Sequence, residues 1–294
     1  MKIVFIGSVQ FSADALAQTI DSCAQVVGVC TLSESKFNSD HFDLHPLAKK
    51  NGVPCLHVKD INSTDTLNWI QEKNPDVIFC FGWSRLLKKE LLNQAKLGVV
   101  GFHPSFLPRN RGRHPLIWAL ALGLKETAST FFFMDEGADS GDILSQEPVM
   151  IDSTDDAGTL YAKVTRIALK QIKEFIPLLQ KGTFQRKKQD HSKANYWRKR
   201  GIKDGEIDWR MSATSICKLV RALAKPYVGA HFLLGVNEVK VWSASVDTVS
   251  VSENIEPGKV MKKENDLITV KCGSDAIVIE SYDGVIELKE GDYL

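Results

Sequence analysis

The sequence predicts an α/β chain, a doubly wound and mostly parallel sheet followed by a small antiparallel β domain. Continuous apolar runs (MKIVFIG, VVGVC, DVIFCF) recur with amphipathic segments between them, the order of buried strands and crossover helices. The last quarter of the chain instead alternates apolar and polar residues in short runs (VKVWSA, TVSVS, LITVKC, AIVIES, VIELKEG) parted by Gly, Asn and Asp. Between the two lies the charge-rich, aliphatic-poor stretch RKKQDHSKANYWRKRGIKDG. The expected organisation is a Rossmann-like domain over 1–183, a linker over 184–205, and a C-terminal domain over 206–294 that begins with a helix and closes barrel-like.

In order, Met1 to Gly7 reads as a buried strand, Asp14 to Ile20 as a helix, and Val26 to Cys30 as the next strand. Gly7 is the only glycine before that helix, so GxGxxG is absent and a dinucleotide fingerprint is excluded. The polar stretch Thr31 to His45 is expected as a mobile loop. Helices over Pro46–Asn51 and Asp65–Lys73 flank a strand at Val53–Val58, and Leu67 and Ile70 share one helical face. Asp76 to Phe81 is a strand ending at Gly82–Trp83. Val99–Val100 leads into His103, where Pro104 disfavours the α region. LPRNRGRHP then reads as an exposed, ligand-shaped loop. Leu116 to Leu124 is helical, Ser129 to Met134 is a strand, and DEGADSGD is an acidic turn. Apolar positions from Leu160 to Leu179 mark a long helix, stopped at Gly182. Asp208 to Ala224 is a helix, and KPYVGAHF turns into a strand.

Composition is that of an ordinary globular protein, 44% hydrophobic and 25% charged, with net charge +1, so no whole-chain bias toward nucleic acid or membrane is visible. The six cysteines form no CxxC pair and are expected as reduced core thiols. The N-terminal apolar run is too short for a signal peptide, and no run approaches a membrane span. The expected compartment is the cytoplasm. The histidines form no ligand spacing with cysteine, so no metal is expected.

His103 follows one strand and Asp139 another. If those strands are neighbours, the two side chains meet at one sheet edge, where open α/β sheets place ligands. A carboxylate beside an imidazole orients the ring and stabilises its protonated form. Asp135, Glu136 and Asp142 crowd the same turn, and the residues alone leave any of them as a cap or a solvated charge. Ser105 lacks a GxSxG elbow, so it is no nucleophile. Arg109, Arg111 and Arg113 suit an anionic ligand.

HPSFLPRNRG followed by GADSGDI resembles the folate-dependent formyltransferase superfamily, which includes methionyl-tRNA, glycinamide ribonucleotide and amino-sugar formyltransferases. RGRHPLIWAL and YWRKRGIKDGEIDW look most like the sugar N-formyltransferases. The resemblance implies formyl transfer from 10-formyltetrahydrofolate, without a metal, to the amine of a nucleotide-linked amino sugar. It gives His103 and Asp139 catalytic roles, with Asp142 the runner-up to Asp139. The family's Asn-x-His has Gly101 at the Asn position, so either the enzyme is slow or another oxyanion donor, Asn110 or an ordered water, enters the space. That departure also motivates a folate-binding protein or a 10-formyltetrahydrofolate hydrolase as an alternative. The implied folate contacts are Phe81, Gly82, Trp83, Ser84, Arg85, Leu86, Leu87, Asp135, Gly137 and Ala138. The implied acceptor contacts are Ser105, Arg109, Asn110, Arg111, Arg113 and His114. The expected partner is a small molecule; a tRNA acceptor is the alternative, a membrane is not expected, and homodimerisation is open. Residues 240–294 hold six lysines and no arginine against eleven acidic residues, a net −5 that disfavours RNA. Residues 186–225 are net +8, which keeps tRNA in view.

Overall fold

Strands Lys2–Ile6 (β1), Gln25–Thr31 (β2), Cys55–His57 (β3), Val77–Cys80 (β4) and Val99–His103 (β5) alternate with helices Gln10–Asp21 (α1), His45–Lys50 (α2), Thr64–Glu72 (α3) and Lys89–Leu92 (α4). The computed structural model describes residues 1–35, 39–247, 252–284 and 287–294. After Arg111–Gly112 (β6) and Pro115–Ala121 (α5) come Glu126–Phe133 (β7), Ile143–Met150 (β8) and Ala157–Lys181 (α6). The main sheet has the order β3-β2-β1-β4-β5-β7-β8. Its pairings are parallel from β3 to β5, and β5 meets β7 antiparallel. This is the expected doubly wound, mostly parallel sheet. By contact density the chain forms two units. The first is Met1–Pro115, Thr127–Val149 and Ala162–Trp197, and the second is Leu116–Glu126, Met150–Tyr161 and Arg198–Leu294.

The central strands are buried on both faces, hence their unbroken apolar runs. Phe79, Phe81, Phe131 and Phe175 follow one another at 4.9–5.0 Å between ring centroids, the first pair stacked and the next two contacts edge-to-face, and this fixes α6 against the sheet. Gln171 of α6 adds hydrogen bonds to the Ser129 carbonyl and the Ser145 hydroxyl. Outside 36–38, which lie beyond the described residues, the stretch expected as a mobile loop is tied down. The amide of Gln10 donates to the Asp40 carbonyl, that of Phe42 to the Ser8 carbonyl, and Leu44 is fully buried.

The second unit carries Ala213–Leu223 (α7), capped by the Ser212 hydroxyl, which accepts from the Ser215 amide. The helix begins five residues later than its apolar pattern because the Asp208 carboxylate accepts the Arg210 amide and holds a turn there. Strands Ala230–Leu234 (β10), Asn237–Val246 (β11), Val260–Glu264 (β12), Leu267–Lys271 (β13) and Ala276–Asp283 (β14) form an antiparallel sheet in the order β10-β11-β14-β13-β12. The run TVSVS lies outside the described residues but for Ser252, as do the first two residues of VIELKEG. The rest of VIELKEG is not a strand, and β12, mostly charged in sequence, takes the edge instead. All six cysteines are free; burial pushes the Cys80 and Cys272 thiols up to about 12. No helix among the described residues is long and apolar enough to cross a membrane.

The segment 184–205, expected as a linker, is no free tether. Tyr196–Trp197 (β9) pairs in parallel with β6, and Lys187 exchanges both backbone bonds with Ile143. A stretch read by its charge thus belongs to the first unit as far as Trp197.

The turn from β1 into α1 hangs on the buried Ser12 hydroxyl. It accepts the amides of Ser8 and Val9 and donates to the Phe81 carbonyl at 2.6 Å. Ser12→Ala orphans all three groups and is expected to cost about 1–3 kcal/mol, read as a lower urea midpoint with unchanged slope.

Candidate active site

His103 ends β5 beside β7, where Gly101 faces Phe132 and His103 faces Thr130. Side chains alternate along each strand, so Gly101 and His103 share a face with Thr130, Phe132 and Met134. The imidazole is buried, 5% exposed, between two acceptors. Its Nδ1 lies 3.6 Å from Asp139 Oδ2, and its Nε2 is 2.8 Å from the Asn110 carbonyl. A carbonyl only accepts, so Nε2 carries the proton and donates it. Asp139 comes from the turn after β7 in a left-handed conformation, φ +52°, and its Oδ2 also accepts the Gly112 amide at 2.8 Å. The expected meeting of the His and Asp loops is therefore realised, with Asp139 rather than Asp142 facing the ring.

The loop between them is held by its backbone. Asn110 and His114 are also left-handed, φ +64° and +56°. Gly112 has φ +105°, and a Cβ there would stand 2.3 Å from the Trp197 carbonyl. The β6–β9 pairing therefore requires glycine.

Several expected ligand contacts are structural instead. Arg111 is 1% exposed. Its guanidinium bonds Gln189 Oε1 at 2.6 Å, the Tyr196 hydroxyl at 3.0 Å and His191 Nδ1 at 3.2 Å. Ser105 is fully buried and donates to the Arg109 carbonyl, closing its turn. The Phe81 and Leu87 side chains belong to the core: Phe81, the residue after β4, is fully buried, and Leu87, in the loop before α4, packs into the cluster under the sheet. Arg109 and Leu86 are exposed. Arg113 donates to the Ser84 carbonyl at 2.8 Å and Arg85 to that of Lys59 at 2.6 Å, so both organise the loop after β4. Gly82, Trp83 and Ser84 are half-buried there. Asp135 Oδ1 accepts from the Gly137 amide and the Ser140 hydroxyl; Gly137 and Ala138 are exposed. Phe106, Leu107, Pro108, Arg109, Gln146 and Lys193 line an open groove of about 600 Å³ beside the loop. Among the described residues, no three His, Cys, Asp or Glu side chains converge as metal ligands.

Sequence reading missed Gln189 and Asn195. Gln189 bonds Arg111 and the carbonyls of Asp139 and Gly141, and Asn195 Oδ1 accepts the Asn110 amide at 2.9 Å. The available signal was two uncharged amides and the Tyr-Trp pair inside a stretch otherwise read by charge.

The Gly101 position is not empty. A Cβ there would sit 2.8 Å from Met134 Cγ and 3.0 Å from its sulfur, so the thioether fills the space over the strand. A donor side chain at 101 therefore does not fit without moving Met134.

The model named "Formyl transferase" matches residues 1–176, and "Formyl transferase, C-terminal domain" matches 202–284. The methionyl-tRNA formyltransferase of Caldanaerobacter subterraneus subsp. tengcongensis is 32% identical over 284 residues, covering 95% of this chain and 91% of that protein. Two solved structures share the fold at TM-score 0.70 and 16% identity, each covering 95% of this chain. One is WlaRD, a sugar 3N-formyl transferase solved in the presence of dTDP and 5-N-formyl-THF, 96% covered. The other is the N-formyltransferase of Helicobacter canadensis in complex with folinic acid and dTDP-3-aminofucose, 99% covered.

Gly101→Asn is expected to overpack against Met134 and lower stability by about 1–3 kcal/mol in urea unfolding, relieved by Met134→Ala in the same chain. Parental stability of the single variant would show that the thioether does not hold that space.

Proposed function

The chain belongs to the formyl transferase family and catalyses folate-dependent formyl transfer, and we propose that its acceptor is the amine of a nucleotide-linked amino sugar. 10-Formyltetrahydrofolate is the formyl donor in this reading. The loop after β4 suits its heterocycle: the Trp83 indole N–H is buried with no hydrogen-bond partner among the described residues, a donor waiting for an acceptor. Leu86, 73% exposed on the same loop, offers apolar cover for a ring face.

Formyl transfer requires a free amine to attack the formyl carbon, an oxyanion to be stabilised, and the departing folate nitrogen to gain a proton. His103 is the group able to hold that proton. When Nδ1 takes a proton from the attacking amine, the new N–H faces the Asp139 carboxylate, whose charge stabilises the imidazolium until the proton passes to the departing folate nitrogen. Asp139 is in turn fixed by the Gly112 amide, so the carboxylate does not have to reorganise as the ring charges.

The charge distribution carries the choice of acceptor. The C-terminal residues 240–294 are net −5. Each of the five arginines in the basic stretch 186–225 is engaged within its own unit. Arg186 lies 3.6 Å over the Phe133 ring, Arg198 and Arg200 bond Asp204, Arg210 pairs with Asp208, and Arg221 donates to the Asp155 carbonyl. Hydrogen bonds from Arg198 hold the Asp204 carboxyl well below the usual range. Few arginines are left to track a phosphate backbone, whereas a diphosphate needs only a local cluster such as Arg109 and Lys193 at the groove. The 32% identity to a methionyl-tRNA formyltransferase favours the second reading, a tRNA acceptor.

His103→Ala is expected to abolish transfer and Asp139→Asn to lower kcat about 10²-fold or more, each with folate affinity within a few-fold. Near-parental turnover in either variant removes the assignment. An acceptor panel separates the two readings: formyl transfer to dTDP-3-aminofucose without transfer to methionyl-tRNA is expected, and the reverse would establish the tRNA reading. Folate release without any amine would mark a hydrolase.

A further inference from the structure

We infer that Gln189 is a positioning residue of this site, a buried amide that sets the Asp139 turn against the His103 loop. Its side chain is buried, and every hydrogen-bonding site on it is used. Oε1 accepts from Arg111 Nη2 at 2.6 Å and Nε at 3.3 Å, while Nε2 donates to the Asp139 carbonyl at 2.9 Å and the Gly141 carbonyl at 2.7 Å. Only one amide orientation satisfies this arrangement. Flipped, its NH₂ would face a guanidinium and its oxygen would face two carbonyls.

The two ends of the amide hold the two sides of the catalytic pair. On one side Arg111 follows Asn110, whose carbonyl accepts His103 Nε2. On the other, Asp139 presents the carboxylate to Nδ1. A single side chain from the segment 184–197 therefore spans both ring partners of the histidine. Arg111 makes no carboxylate ion pair among the described residues, so Gln189 is also the main acceptor for a fully buried guanidinium.

These two duties separate by substitution. Gln189→Glu keeps the acceptor and gives Arg111 a charged partner, but it loses both donations and sets a carboxylate oxygen against two carbonyls. Gln189→Met keeps the length and removes all four bonds. If Gln189 only satisfied Arg111, glutamate would be at least as good as glutamine. If it positions Asp139, glutamate fails.

The inference rests on His103 and Asp139 as the transfer pair, and the test reads the ring directly so that the two ideas fail separately. The full chain is labelled with ¹⁵N-histidine, and His103 ring signals are assigned by their loss in His103→Ala. The expected result is displaced His103 ring signals in Gln189→Glu, with a thermal midpoint above that of Gln189→Met because the Arg111 acceptor is kept. The kcat of Gln189→Glu falls about 10–100-fold with 10-formyltetrahydrofolate and the best acceptor of the panel, while KM for the folate stays within threefold. Gln189→Met is expected to displace the same signals at a lower midpoint. Unmoved His103 signals in both variants would overturn the proposal, as would parental kcat in Gln189→Glu. Full activity in His103→Ala would instead fault the catalytic assignment, leaving the ring signals as the measure of the clamp.

Discussion

Between β5 and β7 the sheet changes from parallel to antiparallel pairing, and His103 ends its strand there opposite Thr130. The backbone beyond the histidine is held from the neighbouring strands. The Thr130 hydroxyl donates to the Ser105 carbonyl at 2.7 Å, and Gln146 of β8 donates to both Thr130 and the Leu107 carbonyl at 3.0 Å. Were β5 and β7 displaced by one residue, His103 would turn to the opposite face and lose both of its acceptors. The site therefore inherits its precision from a ladder register rather than from its loops.

Much of this was legible in the sequence. Buried parallel strands announce themselves as apolar runs, and a histidine followed by proline at a strand end has few places to go. That a histidine and a carboxylate would meet followed from two strands and a turn, while the choice of Asp139 among its acidic neighbours came from the resemblance. The limits were physical. Arg111 looked like a ligand residue because arginine in a Gly/Pro loop usually faces water, and only the tertiary contacts of Gln189, His191 and Tyr196 bury it. Gln189 could not be seen because half of its hydrogen bonds go to backbone carbonyls, which leave no trace in a pattern of side chains, and the others go to an arginine distant in sequence. Phe81 and Leu87 were assigned by position along a motif, whereas tertiary packing turns both side chains into the core.

The second unit shows a different division between sequence and structure. Its charge balance is legible by counting, but the availability of those charges is not. Arg198, Arg200 and Asp204 form a local cluster, and Trp118 packs under both guanidiniums at 5.4 and 4.7 Å. A stretch rich in arginine can thus be inward-looking, and the electrostatic footprint of a domain depends on which cations remain solvated.

Three non-glycine residues around the histidine, Asn110, His114 and Asp139, have positive φ. That region is several-fold enriched in Asn, Asp and His and is hostile to β-branched or bulky side chains. The backbone thus restricts these positions to a short alphabet, and the chemistry of formyl transfer draws on the same letters. Substitution at these positions is constrained for two independent reasons, so a change there tests the shape of the loop as much as its activity.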